Sequence, residues 1–283
     1  MVKKKRSARP VAILLSLLIL LPVLGFLPET KENGDTVLHR KLIHTFWNRK
    51  EHLRYRVKYG FITLGYVIVD ILPDTSYRGK YYREMRVKIK SNPSLPFVGN
   101  KEDDFYSLMA RNDTLAYETL FWMNDIDDNV HDKTVYRLHY DEGKVYSYIR
   151  KKSDGPLIAK DTLALDKPSI CGPAFFYDFR LYTQPDVQAR IPIYINQKEE
   201  KVQLHCDGDT RKEKVDALGD RQLTLIKSSG NAGFNGPFGF KGDFSAWFTD
   251  DSLRIPISAN LKVWIGSVSV HLESYRLEPA AGE

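Results

Sequence analysis

The chain has 283 residues, 42% of them hydrophobic and 28% charged, a balance that excludes a disordered protein and allows one large domain or two small ones. Its net charge of +6 points at first to nucleic acid, but Lys3, Lys4, Lys5, Arg6 and Arg9 supply +5 of it within residues 1–27. Residues 28–283 are left with +1, whereas a nucleic-acid-binding domain keeps its basic excess in the folded part, so nucleic acid is excluded as a partner.

Behind that basic head, residues 11–27 (VAILLSLLILLPVLGFL) carry no charge and have no polar face. This is the layout of a secretory signal, with Pro22 ending its helix and a cut after Gly25 placing Phe26 first in the mature chain. Seventeen residues also reach the lower edge of what spans a bilayer, so the segment reads as a cleaved signal or as a retained inner-membrane anchor. Either way the basic head stays cytoplasmic and the rest is exported to the periplasm or the envelope. The stretch imitates a lipoprotein signal with Phe26 in the position of the acylated cysteine, and phenylalanine has no thiol to carry a lipid.

Residues 28–45 are polar and of mixed charge, a linker. From residue 46 to 277 period-2 patterns dominate, which predicts a single antiparallel-β domain followed by a tail over 278–283. Leu53, Tyr55, Val57 and Tyr59 alternate with basic residues as a half-buried strand. Gly60 bends the chain, residues 61–71 form a more buried strand, and Pro73-Asp74 marks a turn. Further strands are expected at 81–90, 105–111, 115–122, 134–140, 144–150, 157–165, 190–196, 200–206, 221–228, 244–249, 260–265 and 267–277. Turns are expected at Arg111-Asn112-Asp113, Asp141-Glu142-Gly143 and Asp207-Gly208-Asp209. The fold class is all-β: a strongly curved antiparallel sheet, half-barrel or barrel. One short amphipathic helix interrupts it at 172–183, where Pro173 stands at a first helical position and Phe175, Phe179 and Tyr182 share a face.

No complete catalytic motif is present, and no cofactor or metal site is implied. Asp125, Asp127, Asp128 and Asn129 evoke a calcium loop, but Val130 and Tyr136 occupy the places that need glycine and glutamate. The seven histidines show no ligand-pair spacing, and neither cysteine lies in an activating context. Cys171 and Cys206 can form a disulfide in an oxidising compartment or remain two buried thiols. The most unusual stretch is 233–248 (GFNGPFGFKGDFSAWF), in which glycine recurs at every third position from Gly233 to Gly242. Glycine within strand-like sequence marks a bulge or a close approach. Phe234, Phe238, Phe240 and Trp247, with Phe175 and Phe179 of the helix, then either fill a core or line a cleft for a hydrophobic ligand.

The segment 247–275 resembles the closing motif of the bacterial family known as domain of unknown function 3108. It is carried by Trp247, Asp250, Asp251, Arg254, Pro256, Ile257, Ile265, Gly266 and Ser267. Tyr55, Val57, Tyr59, Gly60 and Gly65 resemble the family's opening strands, and Phe175, Tyr177 and Arg180 its mid-chain aromatic-Arg element. The resemblance implies an exported β-rich protein, akin to half-barrels that carry lipids or lipoproteins through the periplasm, and brings no catalytic residue with it. Residue by residue, Asp250 and Asp251 read as turn caps, Arg254 as the partner of one of them, and Pro256 as an edge marker. Three functions follow: a non-enzymatic carrier of a lipid-like ligand with the helix as lid or plug, an envelope scaffold with a filled core, and a hydrolase using Asp250 and Asp251.

Overall fold

Alternation of inward and outward side chains organises most of the described residues into one sheet. The computed structural model describes residues 49–95, 100–110, 117–127, 130–152, 154–167, 169–172, 174–195, 197–234, 240–263 and 266–279. The strands are β1 (Arg49–Tyr59), β2 (Ile62–Tyr77), β3 (Lys80–Ser91), β4 (Lys101–Ala110), β5 (Tyr117–Asp127), β6 (Val130–His139), β7 (Lys144–Lys151) and β8 (Leu157–Ala164). After the short β9 (Ile170–Cys171) come helix α1 (Ala174–Phe179) and a 3₁₀ turn (Arg180–Tyr182). Strands β10 (Val187–Ile195), β11 (Lys198–Cys206), β12 (Thr210–Val215), β13 (Arg221–Ala232), β14 (Phe240–Thr249), β15 (Pro256–Val263) and β16 (Ser267–Pro279) complete the fold.

The sheet runs β8-β7-β6-β5-β4-β3-β2-β1-β16-β15-β14-β13-β11-β10-β9, with β12 sharing β13's edge with β11. Two meanders are therefore joined at the pairing of the first strand with the last, Arg49 opposite Pro279 and Tyr59 opposite Val268. The pairing is antiparallel except where β9 meets β10. Hydrogen bonds do not close the sheet, whose outer edges are β8 and β9. Its curvature instead brings the β9–β10 edge against β5 and β6, where Tyr194 meets Tyr136 edge-on at 5.3 Å and both belong to one buried cluster. Right-handed twist and bulges produce such curvature. Bulges interrupt β1–β2, β1–β16, β2–β3, β4–β5, β7–β8 and β14–β15.

The expected fold class is the observed one, with several local corrections. Strand β2 runs straight through Pro73-Asp74, which form a bulge; the turn falls at Arg78 and Gly79, both at positive φ. Asp207-Gly208-Asp209 is a break within one edge: β11 and β12 flank it and both pair with β13. Pro256 opens β15, which lies between β14 and β16 rather than at an edge. Strand β16 takes in the first two residues assigned to the tail. Residues 1–48 and the turn at 111–113 lie outside the described residues.

Candidate functional site

Helix α1 lies inside the curve of the sheet. Of the aromatic side chains expected to line a cleft, Phe175 and Phe179 are 6% and 3% exposed and stack on each other at 5.7 Å. Phe179 in turn meets Phe244 and Phe248 of β14 edge-on, at 5.6 and 5.1 Å. Ile71, Met85 and Met109 from the first meander and Ile191, Ile193 and Val202 from the second complete the same cluster, with Phe234 packed on its margin. The interior that α1 faces is therefore filled by the protein's own side chains. Trp247 alternates to the other face of β14, where the guanidinium of Arg211 lies 4.1 Å from its ring. Phe238 and the side chain of Phe240 lie outside the described residues.

Of the glycine-rich stretch, Gly236 and Gly239 lie outside the described residues. Gly242 sits at φ +96 within the irregular pairing of β14 with β15. Just ahead of it on β13, Gly230 lets β11 and Phe244 come close: a Cβ there would stand 2.4 Å from the Gln203 carbonyl and 2.6 Å from the Phe244 ring.

The helix is fastened by charge. Arg180, in the 3₁₀ turn that continues α1, donates Nη1 and Nη2 to the two carboxylate oxygens of Glu51 at 2.6 and 3.0 Å. Its Nη2 also reaches the Leu253 carbonyl at 2.7 Å, and its Nε the Arg254 carbonyl at 3.1 Å. Tyr275 of β16 donates to Glu51 at 2.9 Å. The side chains of Arg180 and Glu51 are only 2% and 3% exposed. Burial alone would lower the Arg180 pKa, but the charge and hydrogen bonds of Glu51 outweigh it and raise it above its ordinary value. Desolvation raises the hydroxyl pKa of Tyr177 and Tyr275 strongly, with Glu51 adding to both, so both hydroxyls stay protonated. Glu51 points inward because it shares the parity of Leu53, Tyr55 and Val57 along β1.

The acids of the closing motif are used locally. Asp251 Oδ1 accepts from the Thr249 hydroxyl (2.8 Å) and from the backbone NH of Leu253 (2.9 Å) and Arg254 (3.1 Å). Asp250 pairs with Arg254, which stands at φ +45 and donates to the Thr249 carbonyl at 3.2 Å. This turn presents the Leu253 and Arg254 carbonyls to Arg180. The opening strand, the segment around Arg180 and the closing turn, far apart in sequence, thus meet in one network.

The two cysteines are separate thiols. Cys206 pairs opposite Val187 and Cys171 beside Tyr194, at opposite ends of β10. Seven residues of strand hold them about 23 Å apart, far beyond the roughly 7 Å that a disulfide spans. Cys206 donates to the Lys227 carbonyl at 3.2 Å, and burial raises its pKa. Among the described residues, His139, Asp141 and Glu142 at the β6–β7 turn are the one cluster with metal-ligand spacing, and it is exposed. Glu142 already binds His139 Nδ1 at 3.0 Å and the Tyr146 hydroxyl at 2.8 Å.

Neither a family model nor a curated protein matches the chain. Among solved structures, the crystal structure of a beta-barrel-like protein of domain of unknown function DUF1849 from Brucella abortus is similar to it at 11% identity and a TM-score of 0.49. The match covers 82% of this chain and 98% of that one.

Proposed function

We propose that this chain is an exported protein of the bacterial cell envelope whose β-barrel-like domain is a non-enzymatic interaction module with a filled interior. The observation that carries this reading is the centre of the fold, where Phe175, Phe179, Phe244 and Phe248 pack ring on ring behind the Arg180–Glu51 pair. A carrier of a lipid-like ligand, the rival reading, has to move α1 aside. Doing so separates a buried ion pair, and leaving one such charge unpaired costs about 3–5 kcal/mol. The basic head and apolar segment at residues 1–27 support export, as does the resemblance to domain of unknown function 3108. The open edge of β8, paired with β7 alone among the described residues, offers backbone groups that a partner strand can meet.

Two measurements test the reading. Native mass spectrometry of the gently extracted protein should give the polypeptide mass without lipid, and an environment-sensitive dye such as anilinonaphthalene sulfonate should stay dark on the folded protein. A co-purifying lipid, or dye binding abolished by Phe179→Trp, would establish a carrier instead. Export is tested by fusing residues 1–45 to a phosphatase active only outside the cytoplasm, where an inactive fusion counts against it.

A further inference from the structure

The outward face of the first meander carries a second set of aromatic side chains, in one row across four strands. Tyr106 stands opposite Trp122, Trp122 opposite Val135, and Val135 opposite Tyr148. All four are half-buried, and Tyr106 and Trp122 stack at 5.1 Å. Cations lie against the rings. Lys133 is 4.7 Å from the Trp122 ring, and Arg137 and Lys160 are 5.2 and 5.9 Å from the Tyr148 ring. Lys133 also stands directly opposite Arg150, a like-charge pairing that by itself weakens a sheet.

Carboxylates are placed elsewhere. The outward face of β6, β7 and β8 holds Lys133, Arg137, Lys144, Arg150 and Lys160 and, among the described residues, no acid. Glu142 in the β6–β7 turn takes Lys144 at 3.8 Å, and the other four cations have no ion-pair partner among the described residues. Asp125, Asp132 and Asp161 alternate to the opposite face with Tyr136. Asp141 and Asp154 lie in the turns at the two ends of β7. On β4, Glu102 and Asp104 are held by Lys88 and Lys90 at 2.9–3.2 Å. A cation positioned by a ring instead of a carboxylate keeps its charge uncompensated. Four such charges surround Tyr148, spread over about 14 Å along β6 and about 10 Å from β6 to β8.

We propose that this outward face binds an anionic polysaccharide of the cell envelope, whose acidic groups meet Lys133, Arg137, Arg150 and Lys160 through charge-assisted hydrogen bonds. The choice of polysaccharide rests on the reading of an exported envelope module. It also follows from the rings. The faces of Trp122 and Tyr148 are taken by Tyr106 and by cations, which leaves the bases of a single-stranded nucleic acid no stacking platform. Trp122, Val135 and Tyr148 are half-buried between the cations, so the row offers no exposed apolar group to enter a bilayer.

The test titrates the full chain, in mild non-ionic detergent, into fluorescein-labelled oligogalacturonide and follows anisotropy. Binding should saturate, weaken as salt rises and be absent with labelled neutral dextran. Lys133→Gln combined with Arg150→Gln should weaken it about tenfold or more. Lys160→Gln, at an exposed position of the edge strand β8, should weaken it by less, and it repeats the test should the double variant not fold. Removing the same charge from Lys201 and Lys212, exposed on β11 and β12, should leave the affinity unchanged. No saturable binding, equal binding of neutral dextran, or equal losses in the two pairs of variants would overturn the proposal. So would tighter binding of a single-stranded oligonucleotide of equal charge, or binding to phosphatidylglycerol vesicles that the Lys133→Gln, Arg150→Gln variant loses while oligogalacturonide binding persists. An inactive export fusion would sink the export reading and leave this binding measurement intact, while absent binding leaves export and the filled interior standing.

Discussion

Arg180 gives the sharpest test of how the helix is held. Arg180→Met keeps most of the side-chain volume and removes the charge, leaving the Glu51 carboxylate 3% exposed with the Tyr275 hydroxyl as its remaining donor among the described residues. A buried charge deprived of its partner costs about 3–5 kcal/mol. The Leu253 and Arg254 carbonyls lose their donor as well, at about 1–3 kcal/mol for each one left unsatisfied. A total loss of roughly 5–11 kcal/mol compares with the ~5–15 kcal/mol by which whole proteins are stable. Urea unfolding followed through the four tryptophans should show the midpoint collapse with an unchanged slope. Arg180→Lys keeps the charge with fewer donors and should fall between the two. The control is Glu51→Gln combined with Arg180→Met, which replaces the carboxylate by a neutral amide and should recover a large part of the loss. If Arg180→Met costs less than about 1 kcal/mol, or the double variant is no more stable than the single one, the buried pair is not what fastens α1.

Three further outcomes are expected. Gly230→Ala drives a methyl group into the Gln203 carbonyl and the Phe244 ring and should cost about 1–3 kcal/mol by overpacking, whereas Gly219→Ala, open on all sides but at φ +81, should cost less; thermal melts of the pair check this. Thiol titration with dithionitrobenzoate should find no fast-reacting group in the native protein and two in denaturant, with or without reductant; a single oxidised pair would contradict the placement of β9 and β11. His271 has its pKa held below the ordinary 6.5, first by desolvation and then by Lys58, Arg211 and Arg56, against Glu213. A base with a depressed folded pKa contributes stability that is present above pH 6.5 and lost as pH falls through the lowered value. His271→Gln should therefore flatten stability below neutrality, and an unaltered pH profile would refute the assignment.

The fold was legible because a half-buried strand writes its two faces into alternate residues. Leu53, Tyr55 and Val57 announce β1 in this way, and Phe175 and Phe179, four apart, announce α1. What stayed hidden lacks such a signature. Strand β12 (TRKEKV) buries only Val215, so its sequence reads as a charged loop. Glu51 lies in the run RKEHLRYR, where one inward carboxylate looks like every other charge, and its partner Arg180 is 129 residues away. No local pattern marks position 180 as its partner. For the helix aromatics, spacing gave the direction of the rings but not what they meet. Whether a concave sheet is filled or hollow depends on residues from both meanders, such as Met85 and Phe248, whose association no single window of sequence contains.

The pairing of β1 with β16 also governs the order in which the molecule can be made. A chain synthesised from its N-terminus completes the first meander long before residues 267–279 exist, so one edge of β1 stays unsatisfied until the last strand arrives. Glu51 waits as well, for an arginine 129 residues later and a tyrosine 224 residues later. Closing loops of that length slows folding and prolongs the time in which apolar faces and strand edges are open to other chains. The final strand thus behaves as a clasp: a chain shortened by only its last turn of synthesis keeps every part of its first eight strands and still lacks the element that joins them to the rest.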